Sequence, residues 1–175
     1  RLTDFGFGAL DGDQYVGASM ALLGRFDRIW TFGMRMTSLE RQEVRNGGGL
    51  GSPSQSFEWS TYSLGSLARA GLPFGGSQFR IYGEAELGLG MALTRFTQEQ
   101  AVGDEGAEEV QAEVDEDRHW AMHGSLYIGV HYMPWERFGV FVETGYAYTP
   151  AMTNLMAETH NGGGLSTRLG LRIGL

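Results

Sequence analysis

Three residue types that together perform acyl transfer occur in the last third of the chain: His123, Ser125 and Glu143. A serine hydrolase uses such a set as general base, nucleophile and orienting acid, within hydrogen-bond reach of one another. His119, His123 and His131 have the residue type of a metal site. A third set is ionic: Arg35, Glu84, Glu86, Glu143, Arg168 and Arg172. The fourth is an acidic run, Asp104, Glu105, Glu108, Glu109, Glu113, Asp115, Glu116 and Asp117. What any of these can do depends on the elements that carry them and on the faces those elements present.

The segment Ile81–Arg95 reads IYGEAELGLGMALTR. Ile81, Ala85, Leu87, Leu89, Met91 and Leu93 share one parity; Tyr82, Glu84, Glu86, Gly88, Gly90 and Thr94 share the other. A β-strand sends successive side chains to opposite faces, so the segment is one strand with an apolar face and a polar one. It is about twice as long as the usual strand of roughly 5–6 residues. Crossing a bilayer at a tilt takes about 9–11 residues per strand.

Parity yields eight such segments, near Leu2–Leu10, Gln14–Gly24, Ile29–Glu40, Phe57–Ala70, Gln78–Thr97, Arg118–Tyr132, Phe138–Tyr148 and Leu165–Leu175. The fourth is the weakest, because Ser60, Tyr62, Leu64 and Ser66 share a parity. Short turns are expected near Arg25–Arg28, Gly71–Ser77 and Met133–Arg137. Long links are expected near Arg41–Ser56, Gln98–Asp117 and Thr149–Gly164. The first hairpin, at Asp11–Asp13, is short where the pattern asks for a long link. Pro53, Pro73, Pro134 and Pro150 all fall in these connectors, where no ladder N–H is required. Short turns on one side and long loops on the other is the sidedness of a membrane barrel. The expectation is an all-β fold, an eight-stranded antiparallel up-and-down transmembrane β-barrel, with residues 1–175 as a single domain.

A soluble barrel would turn its apolar face inward around a ligand cavity. Here the polar face carries Gly17, Gly33, Gly65, Gly88, Gly90, Gly129, Gly139, Gly145 and Gly170, with Ser19, Thr31, Ser63 and Ser125. Small residues suit the crowded interior of eight strands, which is just wide enough for side chains to fill. Aromatics gather near strand ends, as interfacial girdles do. Phe26, Trp30, Phe79, Trp135 and Phe138 lie by the short turns; Phe57, Trp59, Trp120, Tyr146 and Tyr148 lie by the long links.

This assignment fixes the chemistry. Arg35, Glu84, Glu86, Glu143, Arg168 and Arg172 point into the lumen, three positives against three negatives. Buried charges need partners, so the arginines are expected to neutralise the glutamates and close the lumen. A selectivity constriction in a narrow pore is the alternative, although water-filled channels belong to barrels of about 16 strands. The three histidines share the inward parity, but spacings of four and eight residues are about 13 Å and 26 Å along a strand. They do not converge on one metal. His123 and Ser125 also face the lumen, and pairing across the Met133–Arg137 turn puts Glu143 near Tyr127, away from His123.

The last strand, LSTRLGLRIGL, turns Leu165, Leu169, Leu171, Ile173 and Leu175 outward and Arg168, Gly170, Arg172 and Gly174 inward. Arg168, Gly170, Ile173 and Leu175 resemble the C-terminal targeting signal of bacterial outer-membrane barrels, a polar residue, a glycine and two alternating hydrophobics. The family signal commonly ends in an aromatic; here Leu175 stands. With the strand pattern, the chain resembles the eight-stranded OmpA/OmpX-like outer-membrane β-barrel superfamily. The resemblance implies a membrane anchor, adhesin or scaffold for surface loops, placed in the outer membrane after loss of a signal peptide. His123-x-Ser125 also resembles the His-x-Ser of outer-membrane lipid A deacylases. That motif continues with asparagine where Leu126 stands, and those enzymes attack lipid from the outer wall.

Composition narrows the partners. The net charge is −8, and the acidic run contributes eight negatives, so the other 13 acids balance the 13 basic residues. All the basic residues are arginine. Nucleic acid is excluded as a partner, because phosphate binding needs a basic surface. The acidic run lacks the spacing of a calcium loop and is expected to be a solvated link. Cysteine is absent, which removes disulfides, thiolate metal sites and cysteine nucleophiles. No metal and no cofactor is expected. No apolar run reaches the length of a membrane helix. The expected partners are the lipid bilayer and lipopolysaccharide, with the long loops as the place where a protein partner would bind. The expected function is that of a structural or interaction barrel rather than an enzyme, with a lipid-modifying hydrolase or a narrow pore as alternatives.

Overall fold

The computed structural model describes residues 2–10, 15–45, 54–74, 78–102, 109–148, 150–152, 159–161 and 164–174. The strands are β1 (Leu2–Leu10), β2 (Tyr15–Arg25), β3 (Trp30–Arg45), β4 (Ser54–Pro73), β5 (Phe79–Val102), β6 (Glu109–Tyr132), β7 (Phe138–Tyr148), β8 (Pro150–Met152), β9 (Thr159–Asn161) and β10 (Gly164–Gly174). Eight of them form a closed antiparallel barrel in the order β1-β10-β7-β6-β5-β4-β3-β2. Closure pairs the first strand with the last, from Leu2 opposite Gly174 to Leu10 opposite Ser166. The Asp11–Asp13 hairpin lies outside the described residues.

Alternation decides the two faces. Outward stand Phe32, Met34 and Met36 on β3, Leu87 and Leu89 on β5, Met122, Leu126 and Ile128 on β6, and Leu165, Leu169 and Leu171 on β10. The ambiguous fourth segment resolves in the same way. Tyr62 and Leu64 are exposed, whereas Thr61, Ser63, Leu67 and Arg69 are buried. Its outer face is diluted by Ser60 and Ser66, which blurred the parity. Trp59 departs from the expected girdle: it is 4% exposed and faces inward with Thr61. A girdle assignment based on proximity to a strand end overlooks parity. Phe57 shares that parity, and its side chain lies outside the described residues. The other aromatics of the two bands are exposed.

The long links are shorter than expected. β3 and β4 pair as far as Arg45 opposite Gln55, and β5 and β6 as far as Val102 opposite Glu109. Glu109, Glu113, Asp115, Glu116 and Asp117 are therefore strand residues, not a solvated link. Beyond the apolar belt both faces meet water, so the hydropathy alternation fades while the hydrogen-bond ladder continues. The third link contains a small hairpin, with Pro150 opposite Asn161. Pro150 opens β8 and Pro73 closes β4, terminal positions where a missing N–H is tolerated. Pro53 lies outside the described residues.

The short turns are laced to one another. Gly71 N–H donates to the Ile29 carbonyl, Met133 N–H to Gln78 and Gly174 N–H to Arg137. Asp27 Oδ1 accepts from the N–H groups of Trp30 (2.6 Å) and Ile29 (2.7 Å). These two bonds hold its carboxyl below the usual carboxylate range.

Small inward residues are required where strands approach closely. A Cβ on Gly88 would lie 2.3 Å from the Leu64 carbonyl oxygen, and one on Gly145 would lie 1.9 Å from that of Leu126. At Gly83, on the outer wall, a Cβ would have no neighbouring atom within 4 Å. Gly88→Ala should therefore destabilise by about 1–3 kcal/mol, the usual cost of overpacking. Gly83→Ala should be neutral or slightly stabilising. Urea unfolding of the detergent-folded variants, followed by tryptophan fluorescence, measures both; equal midpoints would contradict the register.

Candidate functional site

The inward positions of β1, β3, β4, β5, β7 and β10 bring eight charges together. Asp4, Arg35, Arg69, Glu84, Glu86, Glu143, Arg168 and Arg172 are all buried. Four guanidiniums meet four carboxylates. The sequence-predicted set Arg35, Glu84, Glu86, Glu143, Arg168 and Arg172 lies within this group, and Asp4 and Arg69 complete it.

Arg35 is the hub. Its Nη1 donates to Glu84 Oε1 at 2.5 Å and to Glu86 Oε2 at 3.2 Å, and its Nη2 lies 3.6 Å from Glu143. Arg69 spans a second pair, donating to Glu84 Oε2 at 2.5 Å and Asp4 Oδ2 at 2.9 Å. Arg168 Nη1 reaches Glu143 Oε1 at 3.2 Å. The expectation that Arg172 neutralises a glutamate is corrected: it binds Asp4 in a two-point pair, Nε to Oδ1 and Nη2 to Oδ2, both 2.6 Å. The β1–β10 register opposes Asp4 to Arg172 directly. Two-point guanidinium–carboxylate pairs are the strongest of the charge-assisted hydrogen bonds.

Tyrosines fill the space between the charges. Tyr82 donates its hydroxyl to Glu143 Oε2 at 2.9 Å. Arg69 lies over its ring at 4.2 Å, and Arg168 lies over Tyr127 at 4.1 Å. Such stacking suits the planar, weakly hydrated guanidinium. Ala21, Leu23 and Leu67 form an apolar cluster joined by Leu2. Beside Ser19, Thr37, Tyr127, Ser166 and Arg168 there is a cavity of only about 10 Å³. That is room for about one water molecule.

The histidines disperse as their spacing implies. His131 contacts Arg172, His123 Nε2 lies 3.5 Å from Glu86 Oε1, and His119 Nδ1 lies 3.5 Å from Asp117. Among the described residues no group of three His, Cys, Asp or Glu could hold a metal ion. Ser125 Oγ faces Glu86 at 3.3 Å. Glu143 sits opposite Gly129 rather than near Tyr127, two positions further from His123 than expected. The turn keeps more residues unpaired than the count allowed. The hydrolase-like set is thus divided between two parts of the ionic network.

The acidic run is split. Asp104, Glu105 and Glu108 lie outside the described residues, as do the side chains of Glu109 and Glu113. Glu116 accepts from Arg95 Nε at 2.8 Å, which keeps its carboxyl below the usual range. Of the C-terminal signal, Arg168 and Gly170 face the lumen and Ile173 is half-buried. Leu175 lies outside the described residues.

Asp4 and Arg69 were legible in principle. Asp4 shares parity with Gly6 and Gly8, against Phe5 and Phe7; Arg69 shares parity with Ser63 and Gly65.

No protein-family model matches the sequence, and no curated protein does. Solved structures do. Neisserial surface protein A (NspA) superposes with a TM-score of 0.63 at 13% identity, over 99% of this chain and 94% of that one. CarO of Acinetobacter baumannii gives a TM-score of 0.52 at 11% identity, over 99% and 97%. The likeness is one of fold, a closed eight-stranded antiparallel β-barrel.

Removing the hub should expose the energetics. Arg35→Met leaves Glu84, Glu86 and Glu143 short of a partner and should cost about 3–5 kcal/mol, as for other broken buried pairs. Arg168→Met should cost less, because Glu143 keeps Tyr82 at 2.9 Å and Arg35 at 3.6 Å. Adding Glu86→Gln to Arg35→Met should recover part of the loss. Unfolding midpoints in detergent rank the three; equal effects of both arginines would contradict the hub.

Proposed function

We propose that this outer-membrane-type barrel serves as a structural and interaction protein of the bacterial outer membrane. Its lumen is closed by ion pairs, and its long hairpins are available to partners. Residues 1–175 act as one barrel domain in the bilayer, beside lipopolysaccharide. The observation that carries the reading is the charge balance of the lumen: Arg35 and Glu143 are each 1% exposed, and four arginines face four acids. An eight-stranded interior has room for side chains but not for a water column.

The hairpins supply the interaction half of the reading. A four-stranded sheet, β3 to β6, continues past the level where β2 and β7 end. It carries Glu58, Arg95, Asp115, Glu116 and Asp117. Segments raised on a rigid scaffold are where recognition usually resides.

Planar-bilayer recording of the purified protein tests the closed lumen. The wild type should show no steady conductance, and Arg35→Met with Glu84→Gln should show none or a small, noisy one. A stable open level in the wild type would replace the plug with a pore. Lipid A hydrolysis by the same preparation would replace both with an enzyme. The membrane assignment has its own measurement: Leu89, exposed on the outer wall, becomes costly when charged. Leu89→Arg should destabilise the lipid-folded protein by about 2–4 kcal/mol if it sits near the midplane. A neutral effect in bilayers would contradict it.

A further inference from the structure

The arginines sort by position. Arg35, Arg69, Arg168 and Arg172 each pair with a carboxylate in the lumen. Arg95 and Arg118 each lie beside Glu116 on the projecting sheet. Arg25, Arg28, Arg80 and Arg137 make no ion pair among the described residues, and all four lie at the short-turn end.

Two acids, Asp27 and Glu136, lie at that end, but among the described residues neither forms an ion pair with these arginines. The Asp27 carboxylate is occupied by two backbone N–H groups. Arg80 donates to the Arg28 carbonyl at 3.1 Å, which ties β5 to the β2–β3 turn. Like charges are thus held together at one mouth. A vestibule of about 510 Å³ opens there, lined by Leu2, Arg25, Gln78, Met133, Trp135 and Glu136. The aromatic band of Phe26, Trp30, Phe79, Trp135 and Phe138 is exposed at the same end. Such rings sit at headgroup depth, so the guanidiniums lie where lipid phosphates would be.

We propose that the short-turn rim, through Arg25, Arg28, Arg80 and Arg137, binds the phosphate of anionic phospholipids in the adjoining leaflet. The assignment rests on the membrane reading above. Guanidinium takes phosphate by paired hydrogen bonds, and the exposed Trp135 offers apolar surface to the glycerol and upper acyl region. A free anion would use the charges but leave that apolar wall unused.

Tryptophan quenching by brominated phosphatidylglycerol and brominated phosphatidylcholine, in vesicles containing the reconstituted protein, tests the site. The wild type should prefer phosphatidylglycerol by about five-fold per arginine engaged, the equivalent of about 1 kcal/mol for each basic residue near an anionic surface. The preference should shrink with salt and approach unity when all four are replaced (R25Q, R28Q, R80Q, R137Q). R95Q with R118Q, at the opposite end, should leave it unchanged. If the fourfold variant does not fold, R28Q with R137Q changes only exposed turn side chains and should still lower the preference. Equal quenching by the two lipids in the wild type, or an unchanged preference in the variants, overturns the proposal. So does abolition of the preference by millimolar inorganic phosphate at constant ionic strength, which would make the rim a site for soluble anions. Failure of the wild type to enter vesicles of either composition would instead overturn the membrane reading.

Discussion

Eight strands closed on themselves leave a narrow interior, and every second residue must point into it. The charges among those residues have no route to bulk water, so each must find its counterpart inside the wall. Arg35 meets this constraint by serving Glu84, Glu86 and Glu143 together. Arg69 joins Glu84 to Asp4, and Arg172 completes Asp4 from the far side. The pairs share members, so none of the strands that carry them can shift register without separating a charge from its partner. Buried ion pairs offset their own desolvation poorly as a source of stability. Fixing one arrangement among several is the role these contacts suit, and the network spans six of the eight barrel strands.

The wall makes complementary concessions. Where the lumen is crowded with guanidiniums and phenol rings, the neighbouring strands carry glycine: Gly65 beside Glu86, Gly129 beside Tyr82, and Gly170 beside Phe141. Outside, the same alternation spreads Leu, Met, Ile and Phe into a continuous belt. A long exposed strand edge invites pairing with other chains. β6 runs from Glu109 to Tyr132, yet its ladder with β7 begins only at Gly124. The upper half carries Asp115, Glu116 and Asp117, and like charges on that edge oppose its pairing with a second copy of itself.

Parity in the sequence carries the faces of the barrel well, because one wall is largely apolar and the other is dominated by small, polar and charged residues. It located β1 and β7 to the residue and the other six barrel strands as elements. Three features escaped it for physical reasons. Parity reports which way a side chain points but not how far neighbouring strands slide, so Glu143 was placed opposite Tyr127 instead of Gly129. It vanishes where both faces are wet, which hid the upper parts of β3 to β6 and the small β8–β9 hairpin. It also weakens where the outer wall carries serine, as on β4; that obscured the inward directions of Trp59 and Arg69. Asp4 was overlooked in a short first strand dominated by Phe5 and Phe7. Within the ionic network, residue types and burial were legible, whereas the assignment of partners required the register.

The Asp4–Arg172 pair joins positions 168 residues apart in the chain. It sits on the seam where β1 meets β10, so neither side of that seam can be completed until nearly all the intervening chain is present. Contacts of such separation come late and slow the search for the native state, since the entropy of a very long loop must be lost first. A partly assembled sheet would expose two unpaired edges and an unneutralised aspartate. Assembly by zipping hairpin onto hairpin therefore ends in a single closing step, and Asp4→Asn would act chiefly on that step, weakening the latch that distinguishes a finished cylinder from an open, curled sheet.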